Sequence, residues 1–286
     1  MTEAHRPPAT SVIIPVRDGA EVIERQLRAI AAQDDIDDVE VVVADNGSTD
    51  ATAARAREIA SATGLDLRVV DASERRGAGP ARNRGADKAA GHSLIFCDAD
   101  DEVGPGWLAA HLRTLDEHEL SIGASLDRAP DEPGHDHVRA WPTEATRWAP
   151  YVLVPGNNFA IRRSAFSMLD GFDERFLTGQ DVDLGFRAQR TGVDWAFTPD
   201  ARVLRTMRGG LRDRVRRSVQ YGRGNATLAE VHPRYTPVGA WWPDVGRALL
   251  RLPLLIASSR HRDAWARRLG GSWGLRLGPW TEEDLR

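Results

Sequence analysis

The sequence predicts an α/β fold: a mostly parallel, twisted sheet with helices on both faces and a basic helical appendage at its C-terminal end. Three observations predict it. Four short apolar runs, at 10–16, 39–44, 67–70 and 93–97, alternate with helix-like stretches, the pattern of a parallel sheet covered on both sides. The runs break off at dense polar turn signals, which marks each as a short strand. Charge is divided along the chain: residues 201–286 hold 17 arginines against 7 acidic residues, leaving 21 basic against 35 acidic residues before them. That asymmetry sets the C-terminal part apart from the body.

Residues 10–16 (TSVIIPV) read as a buried strand closed by Arg17-Asp18-Gly19. A helix follows over 21–32, where Val22, Ile23, Leu27 and Ile30 form one stripe. The β-branched run 39–44 is a second strand and ends in the turn DNGSTD. The Ala-rich stretch 51–63 is a helix with Asp50 or Thr49 as its cap. A third strand at 67–70 leads into a Gly/Arg loop at 73–79. A helix over about 80–90 comes next, with Pro80 in its first turn. The run 93–97 is the fourth strand. Beyond it the sequence predicts a helix at 107–117 and a strand at 120–126. A polar Pro/Gly-rich loop at 129–137 is expected to be flexible, with His135 and His137 solvated. A short helix at 163–168 and a helix at 180–191 stopped by Gly192 follow. The last strand spans 193–198, and a basic helix spans 210–221.

The chain has 286 residues, 41% hydrophobic and 28% charged, which suits one large globular domain with an appendage. The expected division is a domain over 10–204, with halves at about 10–103 and 104–204, and an extension over 205–286. The single cysteine, Cys97, excludes an intramolecular disulfide and fits a reducing compartment. The polar N-terminal residues show no signal-peptide pattern. The longest apolar tail segment, 248–257, is too short to span a membrane and is broken by Arg251 and Pro253. The expected location is cytoplasmic. The basic tail, with Trp241, Trp242, Trp265, Trp273 and Trp280, suits peripheral contact with an anionic membrane face or packing against the acidic body. No nucleic-acid partner is expected.

The chemistry concentrates where the fourth run stops, at Asp98, Asp100 and Asp101. A parallel strand delivers such carboxylates to the edge where open α/β sheets bind ligands. Arg17-Asp18, Asp45-Asn46 and Arg75-Arg76 follow other strands and reach the same edge. Hard cations such as Mg²⁺ and Mn²⁺ take oxygen ligands, and Mg²⁺ shares its shell with phosphates. The cluster therefore predicts a metal–diphosphate site, against the plainer reading of a solvated turn with a helix cap. Neither a GxGxxG fingerprint nor a Walker A motif occurs.

Six segments occur in an order that resembles the family 2 glycosyltransferases of GT-A fold. They are SVIIPVRDG (11–19), VVVADNGSTDAT (41–52), GAGPARNRGADKAAGHSLIFCDADDEVGPGWL (77–108), VPGNNFAIRRSAF (154–166), GFDERF (171–176) and QDVDLGFRAQRTG (180–192). The resemblance implies inverting transfer of a sugar from a nucleotide-diphosphate sugar to an acceptor hydroxyl. A lipid-linked acceptor is the option that also accounts for the basic tail. The resemblance places Pro15, Val16, Arg17 and Asp45 at the nucleoside and Arg82 at the nucleotide. Asp98 and Asp100 would meet a divalent cation, Mg²⁺ or Mn²⁺, with Asp98 also near the ribose. Asn157 and Asn158 would line the donor-sugar or acceptor pocket, and Asp181 would be the general base. Three residues depart from the family pattern: Asn46 for a second Asp, Gln180 for Glu, and Arg205 where many relatives carry a metal-binding His. Asp183, two positions after Asp181, reads as structural.

Overall fold

A computed structural model describes residues 8–128, 136–139, 153–206 and 211–232, together with positions 277–279, 281 and 284. The strands are β1 (Thr10–Val16), β2 (Val39–Asp45), β3 (Asp66–Asp71), β4 (Ser93–Cys97), β5 (Asp101–Val103), β6 (Leu120–Arg128), β7 (Asp136–Arg139), β8 (Asn158–Arg162) and β9 (Trp195–Thr206). The helices are α1 (Ile23–Ala31), α2 (Thr52–Thr63), α3 (Ala78–Lys88), α4 (Trp107–Glu117), α5 (Arg163–Met168), α6 (Gln180–Thr191) and α7 (Leu211–Val231). His135, the segment 248–257 and the five tail tryptophans lie outside the described residues.

The strands form one sheet in the order β3-β2-β1-β4-β8-β6-β9-β5, with β7 paired to β6. Its first half is parallel, as expected: β1 pairs with β2 and β4, and β2 with β3. Its second half, for which the sequence predicts no strand direction, is mixed. β8 runs antiparallel to β4 and β6, and β5 antiparallel to β9, while β6 and β9 are parallel. Two strand lengths also differ from expectation. β9 continues past 198 because Pro199 to Ala201 form an irregularity, after which pairing resumes at Arg202. Asp101 belongs to the short strand β5, with Arg205 as its registered partner. The backbone of His137 pairs with that of Asp127 in the β6–β7 ladder.

Period-2 alternation sends the strand side chains to two faces. Val12, Ile14, Val41, Val43 and Ile95 pack against Ile23, Leu27 and Ile30 of α1, Ile59 of α2 and Leu108 of α4. Ile13, Val42, Leu94 and Phe96 belong to the cluster on the other side, with α3, α5 and α6. There Phe96 stacks on Phe159 with centroids 4.7 Å apart and meets Phe172 edge-on at 5.6 Å. Each such pair contributes about 0.5–1.5 kcal/mol beyond its buried area. Helices thus cover both faces. Cys97 is fully buried on the α1 side, and burial pushes its thiol well up.

A buried polar chain pins the two halves together. Asn158 Nδ2 donates to the Ala124 and Ala201 carbonyls, each at 2.8 Å. Its Oδ1 accepts from Trp107 Nε1 at 2.8 Å and lies 3.0 Å from His111 Nε2. His111 Nδ1 is 2.8 Å from Ser121 Oγ, which is 2.7 Å from Thr198 Oγ1. Because Asn158 Oδ1 can only accept, His111 carries its proton on Nε2 and Ser121 donates to Nδ1.

Burial holds the His111 imidazole down at about 4, against an ordinary value of 6.5. Between those values the unfolded chain binds a proton that the folded state refuses. The contribution of His111 is therefore complete above its unfolded value and is lost as pH falls toward 4. Wild type is expected to lose about 2–3 kcal/mol more stability between pH 7 and pH 4.5 than His111→Gln, which cannot titrate. Urea denaturation at the two pH values measures the difference. Identical pH dependence in both proteins would contradict the assignment.

Candidate active site at the strand edge

The C-terminal ends of β1 and β4 open onto a hollow of about 450 Å³. Pro15, Val16 and Arg17 line one side, Asp98 and Asp100 another, and Thr178 and Gln220 close it from α6's approach and α7. The parallel register explains the convergence. Val16 lies opposite Asp45 on β2, and β4 runs beside β1 in the same direction. Side chains after these strands therefore emerge at one rim.

The β1 and β2 loops interlock there. Thr49 N–H donates to Asp18 Oδ1 at 2.7 Å, and Asp18 N–H donates to Ser48 Oγ at 3.0 Å. Asp45 does not itself line the hollow; its Oδ1 accepts the Ser48 N–H at 2.8 Å, and its neighbour Asn46 provides the lining. Asn46 explains one departure from the family pattern. Its Nδ2 donates to the Ala72 and Arg75 carbonyls at 2.5 and 2.8 Å, while its Oδ1 accepts the Gly77 N–H at 2.9 Å. An ionised Asp has no hydrogen to give those carbonyls. Asn46 therefore fixes the 72–77 loop that carries Arg76 into the hollow.

Arg82, on α3, is 3% exposed, and its Nη2 donates to Asp98 Oδ1 at 2.6 Å. Its guanidinium carbon stands 5.5 Å from the centroid of the Phe172 ring. The buried Nε and Nη1 find no acceptor among the described residues. Such orphaned donors each cost about 1–3 kcal/mol.

Asp181, the second residue of α6, stands beside this pair and outside the lining of the hollow. Its Oδ2 accepts the Gly156 N–H at 3.0 Å and its Oδ1 accepts the Val182 N–H at 3.0 Å. A Cβ placed on Gly156 would lie 3.2 Å from both Arg82 Nη2 and Asp181 Oδ2. A side chain there would have to push both neighbours back by a few tenths of an ångström. The next residue ties the same loop to the acidic rim: Asn157 Nδ2 donates to Asp101 Oδ2 at 2.6 Å. Asp101 is buried, and burial together with the Asp98 charge pushes its acid up to about 8.

Asn158 departs from its expected place at the pocket wall. It is fully buried, and all its amide atoms are engaged in the polar chain described above. Its side chain is a structural pin. Asp183 is also fully buried, accepting from Arg187 at 2.6 Å and lying 2.8 Å from His232 Nε2 at the end of α7. Gly224 of α7 meets Thr178 so closely that a Cβ there would lie 2.5 Å from its carbonyl oxygen. This contact brings Gln220 to the hollow, a lining residue that the basic pattern of α7 did not single out. An amide at a helix position facing two glycine-rich approaches, Gly179 and Gly224, was the available signal.

The donor set at the rim consists of carboxylate oxygens. Among the described residues, no group of three or more His, Cys, Asp or Glu side chains gathers as a metal cage. Asp98 and Asp100 therefore fit a hard cation that takes further oxygens from a phosphate-bearing ligand, as Mg²⁺ usually does. Arg205 lies across the β5–β9 ladder from Asp101 and adds no ligand.

The sequence profile of glycosyl transferase family 2 matches residues 11–194, and that of glycosyl transferase family group 2 matches residues 136–275. A pre-mycofactocin glycosyltransferase of Mycobacterium tuberculosis is 28% identical over 253 residues, covering 82% of this chain and 52% of that protein. Glycosyltransferase AglE of Haloferax volcanii is 37% identical over 207 residues, covering 68% of this chain and 65% of that protein. The chain thus spans about half the length of the first relative and somewhat more of the second. The mannosyltransferase PcManGT from Pyrobaculum calidifontis, solved in complex with GDP-Man and Mn²⁺, has the same fold. It matches with a TM-score of 0.66 and 21% identity over 96% of this chain and 87% of that one.

Replacing Asn46 by Asp, often the family's residue here, is expected to destabilise this chain by about 1–3 kcal/mol, because one buried and one half-buried carbonyl lose their donors. Urea denaturation measures it. An Asn46→Asp protein as stable as wild type would show that the amide does not fix the loop.

Proposed function

The chain belongs to glycosyl transferase family 2, and on that premise we propose that it is an inverting glycosyltransferase. It moves a sugar from a nucleoside-diphosphate sugar to an acceptor hydroxyl. One observation carries the reading. Asp98 at the hollow and Asp181 beside it are linked through Arg82 and Gly156. That link sets a donor-side acid and a base candidate on neighbouring ground.

In this reading Pro15, Val16 and Arg17 hold the nucleoside, with Asp45 behind them at the end of β2. Arg82, buried behind the hollow, serves the nucleotide by holding Asp98 in place. Asp100, with Asp98, would hold Mg²⁺ or Mn²⁺; when bound, the cation stabilises charge on the departing diphosphate. Asp181 takes the acceptor's proton as its oxygen attacks the anomeric carbon from the face opposite the diphosphate. Two backbone N–H groups, from Gly156 and Val182, fix the direction of its carboxylate. Asn157 supports this geometry by tying the Gly156 loop to Asp101.

The relative solved with GDP-Man and Mn²⁺ makes GDP sugars, with UDP sugars beside them, the first donors to try. Among the described residues no helix is long and apolar enough to cross a membrane. The arginine excess of 201–286 suits an acceptor on a lipid carrier at an anionic membrane face. The lone Cys97 suits a reducing compartment. The expected boundary at 204/205 falls inside β9, so the catalytic domain is placed over 10–206, with α7 of the extension adding to the wall of the hollow.

Asp181→Asn is expected to keep donor binding while transfer falls by about 10²–10⁴-fold. Calorimetry with GDP and UDP sugars, alongside product formation with Mn²⁺, separates the two effects. Equal turnover in both proteins would remove Asp181 from the role of base.

A further inference from the structure

The segment that carries Asp98 and Asp100 is held from one side by a single helix. α1 buries Ile23, Leu27 and Ile30 as an amphipathic helix should, but the stripe also contains Gln26, which is fully buried. Gln26 Oε1 accepts the Val103 N–H at 3.0 Å. Just past the helix, Gln33 Nε2 donates to the Gly104 carbonyl at 3.0 Å and its Oε1 accepts the Leu108 N–H at 3.2 Å. Arg25 Nη2 donates to the Asp100 carbonyl at 2.8 Å, and Arg25 Nε lies 3.4 Å from Glu102 Oε2. Two side chains of α1 and one just past its end thus grip the backbone of 100–108 at four points.

These grips differ in what they reach. Gln26 and Gln33 hold residues already fixed in the β5–β9 ladder and at the start of α4. Arg25 alone, among the bonds named here, reaches the backbone of Asp100. Asp100 itself is exposed at the rim, outside any strand, and the Arg25 bond is made to its carbonyl. On the far side, Asp98 is held by Arg82. The turn from 98 to 100 is therefore braced at each end by an arginine.

We propose that Arg25 is a positioning residue for the cation: it orients the Asp100 peptide so that both carboxylates address one ion. The inference rests on the assignment of Asp98 and Asp100 as cation ligands. It assigns Arg25 no contact with substrate or ion.

The test uses the full chain and Mn²⁺ titrated calorimetrically in the presence of UDP or GDP. Arg25→Met keeps the side-chain stem and removes the donors. It is expected to weaken Mn²⁺ binding about tenfold, the size of a supporting-residue effect at a metal. Metal-free nucleotide binding should stay unchanged. Arg25→Lys should recover part of the loss, since an ammonium can still donate to the Asp100 carbonyl. Arg28→Met, on the same helix and paired with Glu24 instead, should bind Mn²⁺ as wild type does. In turnover assays the Mn²⁺ concentration for half activation should rise for Arg25→Met, with kcat retained at saturating Mn²⁺. Should Arg25→Met not fold, Arg25→Gln reads the same quantities. Unchanged Mn²⁺ affinity in the Arg25 variant, with wild type binding the ion, overturns this inference alone. Wild type that takes up no Mn²⁺ with either nucleotide overturns the cation assignment and this inference with it.

Discussion

The buried guanidinium of Arg82 is the constraint around which the strand edge is built. An arginine cannot shed its charge in a protein, so once buried it must be met by acceptors. Asp98 meets it at 2.6 Å from the end of β4, and the ring of Phe172 lies against it. The Gly156 backbone approaches the same nitrogen and donates in turn to Asp181. One cation thus fixes the relative placement of β4, the 154–157 loop and the start of α6, which are far apart in sequence. Its remaining donors, Nε and Nη1, stay unmatched within the described residues.

The C-terminal helix is part of this arrangement. Asp183 and Arg187 form an i, i+4 pair on α6, and His232 joins them from the end of α7. Leu228 packs with Phe176 and Phe186, and Thr178 Oγ1 donates to the Gln220 carbonyl at 2.8 Å. Thr178 and Gln220, joined by that bond, both face the hollow. The stretch after β9 therefore supplies one wall of the site through Gln220.

Much of the fold was legible because strong local signals agreed with the tertiary result. β1, β4, α4, α5 and α6 begin and end where apolar runs, capping positions and glycines placed them. Strand direction in the second half was not legible, since an apolar run such as that of β8 reads the same in either orientation. β5 was missed because Asp-Glu-Val carries two charges in three residues; its pairing with β9 is a tertiary gain. At the site, clustered aspartates were readable as a rim, but the division of labour among neighbours was not. Asn157 and Asn158 are adjacent and chemically identical, yet one ties the Gly156 loop to Asp101 and the other is sealed in the core. Asn157 ends the turn before β8 and Asn158 is the first residue of the strand, a boundary that sequence spacing does not reveal. Gln26 offered a missed hint: an amide inside an apolar stripe needs a buried partner.

The account is tested most directly by crystals grown with Mn²⁺ and an unreactive GDP- or UDP-sugar analogue, read by anomalous scattering at the manganese edge. The expected map has one strong peak within ligand distance of Asp98 and Asp100, a diphosphate in its shell, and Arg82 still bonded to Asp98. A peak elsewhere, or a nucleotide seated away from Pro15, Val16 and Arg17, would contradict the claim that this hollow is the donor site.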